Sequence, residues 1–418
     1  MSSPARLADI FQAFVGTTAD VRFEAYDGSA SGPPDAPVTL RLRDQAAVQY
    51  IATAPSDLGI ARAFVSGSLE VDGDVYTALR ALVADERRPV PWGRAVDLLR
   101  TQGLGIVKRP PVPQLEAPHP LRRGRRHSKD RDSAAIAHHY DVSNSFYAMV
   151  LGPSMTYTCA VYPTQDATLE VAQAAKYDLV AQKLGLDAGM RLLDVGCGWG
   201  GMVMHAAEHY DVRAIGVTLS RHQAEWANKT IAERGLSDRA EVRYMDYRDV
   251  PEAGFDAVSS IGLTEHIGRR NYSSYFARLS SKLRPGGRML NHCITRPNSR
   301  ERAKAKGFID RYIFPDGELS GPATVMAAMN DNGFEIRHEE NLREHYAMTL
   351  RDWGRNLNDN WSAAVDEVGL AKARVWRLYM AASRVGFDLN RIELHQILGV
   401  RLKPRGVSDF PLRPTWTP

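Results

Sequence analysis

One stretch constrains the fold more than any other: Leu192-Leu193-Asp194-Val195-Gly196-Cys197-Gly198-Trp199-Gly200-Gly201, an apolar strand that breaks into closely spaced glycines and opens a helix. Glycine takes backbone angles closed to other residues and lets a ligand approach the main chain. The helix N-terminus that follows offers N–H donors with no intrahelical acceptor. The spacing is G-x-G-x-G with an acid two residues before the first glycine, not the G-x-G-x-x-G fingerprint of dinucleotide sites. S-adenosylmethionine (SAM) therefore fits better than NAD. A strand-to-helix turn without a ligand is the bland alternative, and the regular alternation around the loop argues against it.

That alternation begins at Met190. Strands are expected at Arg191–Val195, Val212–Val217, Ala240–Met245, Phe255–Ser260 and Arg288–Ile294, and helices at Gly201–His209, Arg221–Arg234 and Tyr272–Leu283. Strands alternating with helices imply a parallel sheet covered on both faces, with ligands at the carboxyl ends of the strands. Asp194, Thr218, Asp246, Ile261 and His292 fall at or just beyond such ends. Residues 295 to 345 read as an insertion, and Trp353 to Val400 as largely helical. No internal repeat is visible.

At 418 residues the chain is too long for one ordinary core, so more than one domain is expected. Residues 1–107 form an N-terminal accessory unit, with alternating segments such as Ala36–Leu42 and a helical end from Val75 to Leu99. Residues 108–131 form a linker or exposed arm in which five prolines interrupt regular structure and arginines concentrate. Residues 132–418 form the catalytic domain. The fold class is α/β: a doubly wound, Rossmann-like sheet of the class I SAM-methyltransferase kind, with a smaller N-terminal α+β domain and helical insertions.

Net charge is only +4, but the basic residues are clustered. Arg122, Arg123, Arg125, Arg126, Lys129 and Arg131 lie in the arm. Arg296, Arg300, Arg302, Lys304 and Lys306 surround one acid, Glu301. Each basic group near acidic lipid is worth about 1 kcal/mol, so both segments suit an anionic membrane surface or phosphate head groups, while a solvated tether and a solvated helix are the plain alternatives. Three cysteines give no disulfide framework and no metal-ligand spacing, and His138-His139 are adjacent instead of i, i+4, so no metal is expected. The first twenty residues resemble neither a secretory signal nor a transit peptide, and no stretch approaches eighteen consecutive apolar residues. A reducing cytoplasm fits, with any membrane substrate reached from the inner surface as a peripheral protein.

Asp194 can accept hydrogen bonds from loop N–H groups or favour a cationic amino-acid head. The place after the second strand, where many SAM folds carry an acid for the ribose, holds Thr218 in Gly216-Val217-Thr218-Leu219-Ser220, with Gln223 one turn on. Neutral hydrogen bonders stand where the acid would. Glu265 follows Ser259-Ser260-Ile261-Gly262-Leu263 beside this cleft, and burying a carboxylate there demands a partner. His292 and Cys159, taken alone, read as a core histidine and a small buried hydrophobe, and Cys197 and Cys293 as packing residues. Gly307 to Pro315 is aromatic and a candidate wall for an apolar tunnel.

Together these residues resemble the cyclopropane-fatty-acyl-phospholipid synthase family, SAM-dependent enzymes that methylate double bonds in lipid acyl chains. The resemblance is carried by His139-Tyr140-Asp141-Val142-Ser143-Asn144, Gly152 to Ala160 with its MTYTCA core, LLDVGCGWGG, GVTLS, Asp246-Tyr247-Arg248-Asp249, Glu265-His266-Ile267-Gly268 and Tyr312-Ile313-Phe314-Pro315. It spans roughly residues 138 to 400, in family order. GxGxG alone is weak, whereas the HYDVSN, MTYTCA and EHIG combination is highly specific.

The resemblance implies a SAM site lined by Tyr157, Thr158, Gly196, Gly198, Thr218, Leu219, Gln223, Asp246 and Tyr247, to which the loop reading adds Asp194. It further implies that Cys159, Glu265, His292, Ile294 and Tyr346 surround a bicarbonate that serves as base, and that His139-Tyr140 shape the pocket. An isolated alkene is a poor nucleophile, so methyl transfer makes a carbocation that water would capture, and the pocket must be dry. A small captive anion oriented through Glu265 could then take the proton. Loss of a proton from the added methyl closes a cyclopropane; a hydride shift before that loss leaves a 10-methylene, precursor of a 10-methyl chain. The five bicarbonate positions suit ring closure, while Asp57 to Gly67 and Val71 to Asp74 are similar to methylene-forming members from actinobacteria. A methylene product requires a partner reductase. A homodimer stays open. The rivals are methylation of a soluble small molecule, which leaves the basic arm unexplained, and a non-catalytic nucleic-acid-binding protein, which lacks aromatic residues among the arginines for stacking. No nucleic acid partner is expected.

Overall fold

The structure is a computed structural model describing residues 6–16, 20–83, 104–117, 142–299, 307–314 and 317–416. It divides into two compact units: Met1–Leu121 with Lys304–Pro315 and Leu357–Val385, and Arg122–Ala303 with Asp316–Asn356 and Gly386–Pro418.

The first unit holds a four-stranded sheet of β1 (Val21–Ala25), β2 (Ala30–Ser31), β3 (Val38–Leu42) and β4 (Leu69–Asp72), in the order β2-β1-β3-β4. Alternate residues Val21, Phe23, Val38 and Leu40 turn inward against helix Leu7–Val15 and Val48, each buried side chain contributing roughly 1.5–3 kcal/mol. Helices Gln45–Thr53 and Asp57–Ser66 start where Asp44 and Ser56 accept from Ala46 N and Leu58 N. Residues 108–117, expected as the start of a linker, are instead fastened here. The Tyr50 hydroxyl donates to Pro111 O at 2.6 Å, and the buried Glu116 accepts two bonds from Arg62 at 2.6 and 2.7 Å. Arg311 adds a second cation at 2.6 Å and Tyr312 a hydroxyl at 3.2 Å, so the aromatic segment Phe308–Tyr312 belongs to this unit. The prolines stop regular structure, but they do not stop packing. Residues 118–131, His139 to Asp141 and Arg300 to Lys306 lie outside the described residues, as does the helical end beyond Val83.

The second unit is built on a seven-stranded sheet: β5 (Arg191–Val195), β6 (Arg213–Thr218), β7 (Ala240–Tyr244), β8 (Phe255–Ile261), β9 (Leu283–Thr295), β10 (Glu335–Asn341) and β11 (Glu393–Val400). Its order is β10-β11-β9-β8-β5-β6-β7. Successive β5 residues serve opposite faces: Leu192 packs with Met202, Val203 and Ile231, whereas Leu193 and Val195 pack with Tyr275, Phe276 and Met329. This is the doubly wound class I methyltransferase sheet.

Four expectations are corrected. Residues 295–345 are no mere insertion, because they contain helix Pro322–Asn330 and strand β10. Trp353–Val400 is helical only through Asp388, after which β11 enters the sheet between β9 and β10. The sheet is thus not wholly parallel, since β11 runs antiparallel to both neighbours. His292 also sits inside β9, which begins at Leu283 and takes the Arg284-Pro285-Gly286-Gly287 turn as an irregularity in its pairing with β8.

Candidate active site

The glycine loop leaves β5 and is pinned to the end of β6, where Val217 O accepts from Gly196 N and Cys197 N at 2.9 and 3.0 Å. Gly196, Gly198 and Gly200 have φ of +71°, +55° and +78°, a region costly to residues with a Cβ. A Cβ on Gly198 would meet nothing within 4 Å, so this glycine faces open space. Two adjoining clefts share Gly196, Gly198, Gln223 and Gly262. Tyr157, Thr158 and Asp194 line the first cleft; Thr218, Leu219, Asp246 and Tyr247 line the second. All ten residues expected at the cofactor site are brought together.

Asp194 is buried and accepts from Ser259 Oγ at 2.6 Å across the β5–β8 pairing. Burial pushes its carboxyl up to about 7, against the Ser259 hydrogen bond and the Lys176 charge. Thr218 Oγ1 donates to Gln223 Oε1 at 2.7 Å, so the two neutral groups standing for an acid are coupled to each other. Asp246 caps the turn Tyr247–Asp249 and is gripped by Arg248, whose Nε and Nη2 donate at 2.7 and 2.6 Å.

A second constellation lies on β9 and its neighbours. Glu265, in the short helix Thr264–Ile267, is 8% exposed; its Oε1 accepts from Ile294 N at 2.7 Å. Its Oε2 is buried without a hydrogen-bond partner among the described residues. Burial drives this carboxyl up to about 7, only partly offset by the Ile294 amide. His292, two residues before Ile294, is 1% exposed with Nε2 likewise unpartnered among the described residues, and burial holds the ring neutral. Cys159 is fully buried and contacts Leu342 O; burial pushes its thiol up, so it is no ready nucleophile. Tyr346 follows one turn later, its N donating to Leu342 O, and Leu342 N donates to Leu394 O, the β11 residue paired with Ile294. Backbone contacts therefore link Cys159, Tyr346, Ile294 and Glu265 in one neighbourhood.

Aromatic rings pack around Tyr157 and Tyr346. Tyr157 lies 5.8 Å from Tyr147 and 5.3 Å from Trp353, and Tyr346 stacks on Phe387 at 4.5 Å. Asn144 accepts from Trp199 Nε1 at 2.9 Å, so the HYDVSN motif and the glycine loop meet through a side-chain hydrogen bond.

Residues 127–397 match the mycolic acid cyclopropane synthetase family. The chain belongs to that family. A protein named probable fatty acid methyltransferase from Mycobacterium tuberculosis is 53% identical over 99% of this chain and 98% of its own length. Another so named, from Pseudomonas putida, is 37% identical over 95% of each. A solved cyclopropane synthase from Mycobacterium tuberculosis has a TM-score of 0.61 at 32% identity, covering 66% of this chain and 99% of that one. A mycolic acid cyclopropane synthase complexed with SAH and CTAB gives 0.61 at 34% identity, covering 64% and 98%.

Two buried lysines, Lys176 and Lys183, join the residues expected from the sequence. Lys176 is fully buried, lines the first cleft, donates to Thr158 Oγ1 at 3.3 Å and lies 3.5 Å over the Tyr177 ring. Burial depresses its amine to about 7, against Asp194 and Cys159. Lys183 bonds Gln396 Oε1 at 2.7 Å and also pairs with Glu340. The signal was available: two lysines seven apart share a helical stripe with Ala172, Leu179 and Val180, and a lysine on an apolar stripe is seldom buried without a task.

Proposed function

We propose that this cyclopropane synthetase family member is a SAM-dependent C-methyltransferase adding a one-carbon unit to the double bond of unsaturated acyl chains in membrane phospholipids. The reaction passes through a carbocation to a cyclopropane or a 10-methylene chain. The full-length relatives named fatty acid methyltransferases support a fatty acyl substrate. The observation that carries the reading is the pair of buried polar atoms, Glu265 Oε2 and His292 Nε2, unpartnered among the described residues, with Glu265 held to Ile294 N two residues along β9 from His292.

The residues present fit SAM. Gly198 leaves the main chain open, Asp194 offers a carboxylate for an amino group, and Thr218 and Gln223 offer neutral hydrogen bonds. SAM, when bound, supplies the electrophilic sulfonium methyl. They fit bicarbonate too, because a neutral imidazole and a carboxyl that readily protonates can both donate to an anion. Bicarbonate, when bound, supplies a base free to take the methyl proton without bonding to the cation. Glu265 is held by Ile294 N, so its free oxygen has one fixed position. The rings of Tyr157, Trp353 and Tyr346 exclude water from a cation it would capture. A methylene product requires a reductase to follow, and the first unit serves lipid capture.

Liposomes of monounsaturated phospholipid incubated with the protein and SAM test the reading. A gain of one CH2 with upfield ring protons identifies a cyclopropane synthase; the same gain with vinylidene protons identifies a methylene-forming enzyme. No gain on liposomes, with turnover of a water-soluble acceptor, overturns it.

A further inference from the structure

β11 lies directly beside β9, and Gln396 is the register partner of His292. Gln396 Nε2 stands 3.3 Å from His292 Nδ1, and its Oε1 lies 2.7 Å from Lys183 Nζ. An ammonium only donates, so the atom facing Lys183 must be the amide oxygen, which fixes which end of the amide faces the ring. The amide nitrogen in turn only donates. Nδ1 must therefore accept and carry no proton, and a neutral ring then holds its proton on Nε2. Glu340, on β10, anchors the far side of Lys183. The chain of contacts runs Glu340, Lys183, Gln396, His292, and every member except Glu340 is buried.

We infer that Lys183 and Gln396 are positioning residues that hold His292 as the neutral Nε2–H tautomer, a fixed hydrogen-bond donor in the active site and not a base. The inference rests on the proposed reading only for what the donor meets, an anion beside Glu265; the tautomer itself follows from the contacts. A second proton would have to enter at Nδ1, facing the Gln396 amide hydrogens, with Lys176, Lys183 and His395 as the cationic or titratable groups that act on the ring. The lysines and His395 oppose it, and burial opposes it more strongly. Because the ring donates at Nε2 and cannot accept there, proton removal from the substrate falls to another group.

Histidine-selective 15N labelling of the full chain, read by long-range proton–nitrogen correlation, tests this. His292→Gln identifies the signal by its loss. The wild type is expected to show Nδ1 unprotonated and Nε2 protonated from about pH 6 to 9, the range that brackets an ordinary histidine. Gln396→Leu is expected to mix the tautomers and lower kcat by about tenfold or more with little change in KM for SAM. Gln396→Glu, whose carboxylate accepts from Nδ1–H, is expected to move the proton to Nδ1 and raise the ring pKa. Should the Gln396 variants not fold, Lys183→Met leaves the amide free to turn and is expected to weaken the same signature. An Nδ1–H ring in the wild type, or an unchanged tautomer and kcat in Gln396→Leu, overturns the inference. Turnover in carbonate-free buffer separates the two ideas: Nε2–H with no carbonate dependence sinks the anion reading alone, and Nδ1–H with carbonate dependence sinks this one alone.

Discussion

Glu265 binds its proton more tightly in the fold than in an unfolded chain, because burial raises it from 4.5 to about 7. Below pH 4.5 both states are protonated and nothing is lost. Between 4.5 and about 7 the unfolded chain gives up a proton that the fold keeps, so stability falls as pH rises, levelling off at a deficit of about 3 kcal/mol. Glu265→Gln has no proton to lose there. Its Tm relative to the wild type is expected to climb from pH 5 to 7 and then flatten, as read by calorimetry, and a difference independent of pH would refute the burial account. The same variant is expected to bind SAH while turning over about 100-fold more slowly. A carboxylate kept at a standing loss of stability is one whose place is set by chemistry.

The first turn of helix Gly201–His209 reverses an ordinary rule. Alanine beats glycine in a helix by about 1 kcal/mol, yet a Cβ on Gly201 would meet the Tyr177 hydroxyl at 2.0 Å and its ring carbon at 2.7 Å. Gly201→Ala is therefore expected to destabilise the protein by about 1–3 kcal/mol, measured by urea unfolding, and any gain in stability would contradict this packing. Elements such as this helix and β5–β8 were legible because periodicity and the glycine punctuation agreed, to within a residue or two at each end. The last two strands were not. In β11, Leu394, Ile397 and Leu398 stand at i, i+3 and i+4, a helical pattern, because the strand is buried on both faces and shows no alternation. The edge strand β10 reads Glu-Ile-Arg-His-Glu-Glu-Asn, too polar to announce itself. The cofactor residues were legible from the loop and from the resemblance. Gln396 was not, because its value depends on which strand β11 lies beside.

Across the whole molecule, charge and order of assembly carry the remaining consequences. In the first unit Glu116 would be raised by burial, but the Arg62 bonds and the charges of Arg62 and Arg311 bring it below 4.5. Its contribution is therefore present above pH 4.5 and lost as the solution is acidified through its lowered value. Glu116→Gln leaves two partly buried guanidinium groups short of a counter-ion and is expected to cost about 1–3 kcal/mol, seen as an earlier urea transition; an unmoved midpoint would count against the network. At the membrane, the two basic segments are expected to draw the protein onto anionic vesicles but not neutral ones, with sedimentation falling several-fold as salt shortens the screening length to about 3 Å at 1 M. Binding unchanged by salt would exclude electrostatic docking. The insertion of β11 between β9 and β10 also sets a timetable for synthesis. The ribosome delivers six strands of the large sheet first, yet β10 has no neighbour until the seventh arrives to separate and join it to β9. A growing chain therefore carries an open β9 edge, and a His292 without Gln396, until nearly all of this unit has been made, so an interrupted copy yields an aggregation-prone sheet and not a partly competent enzyme.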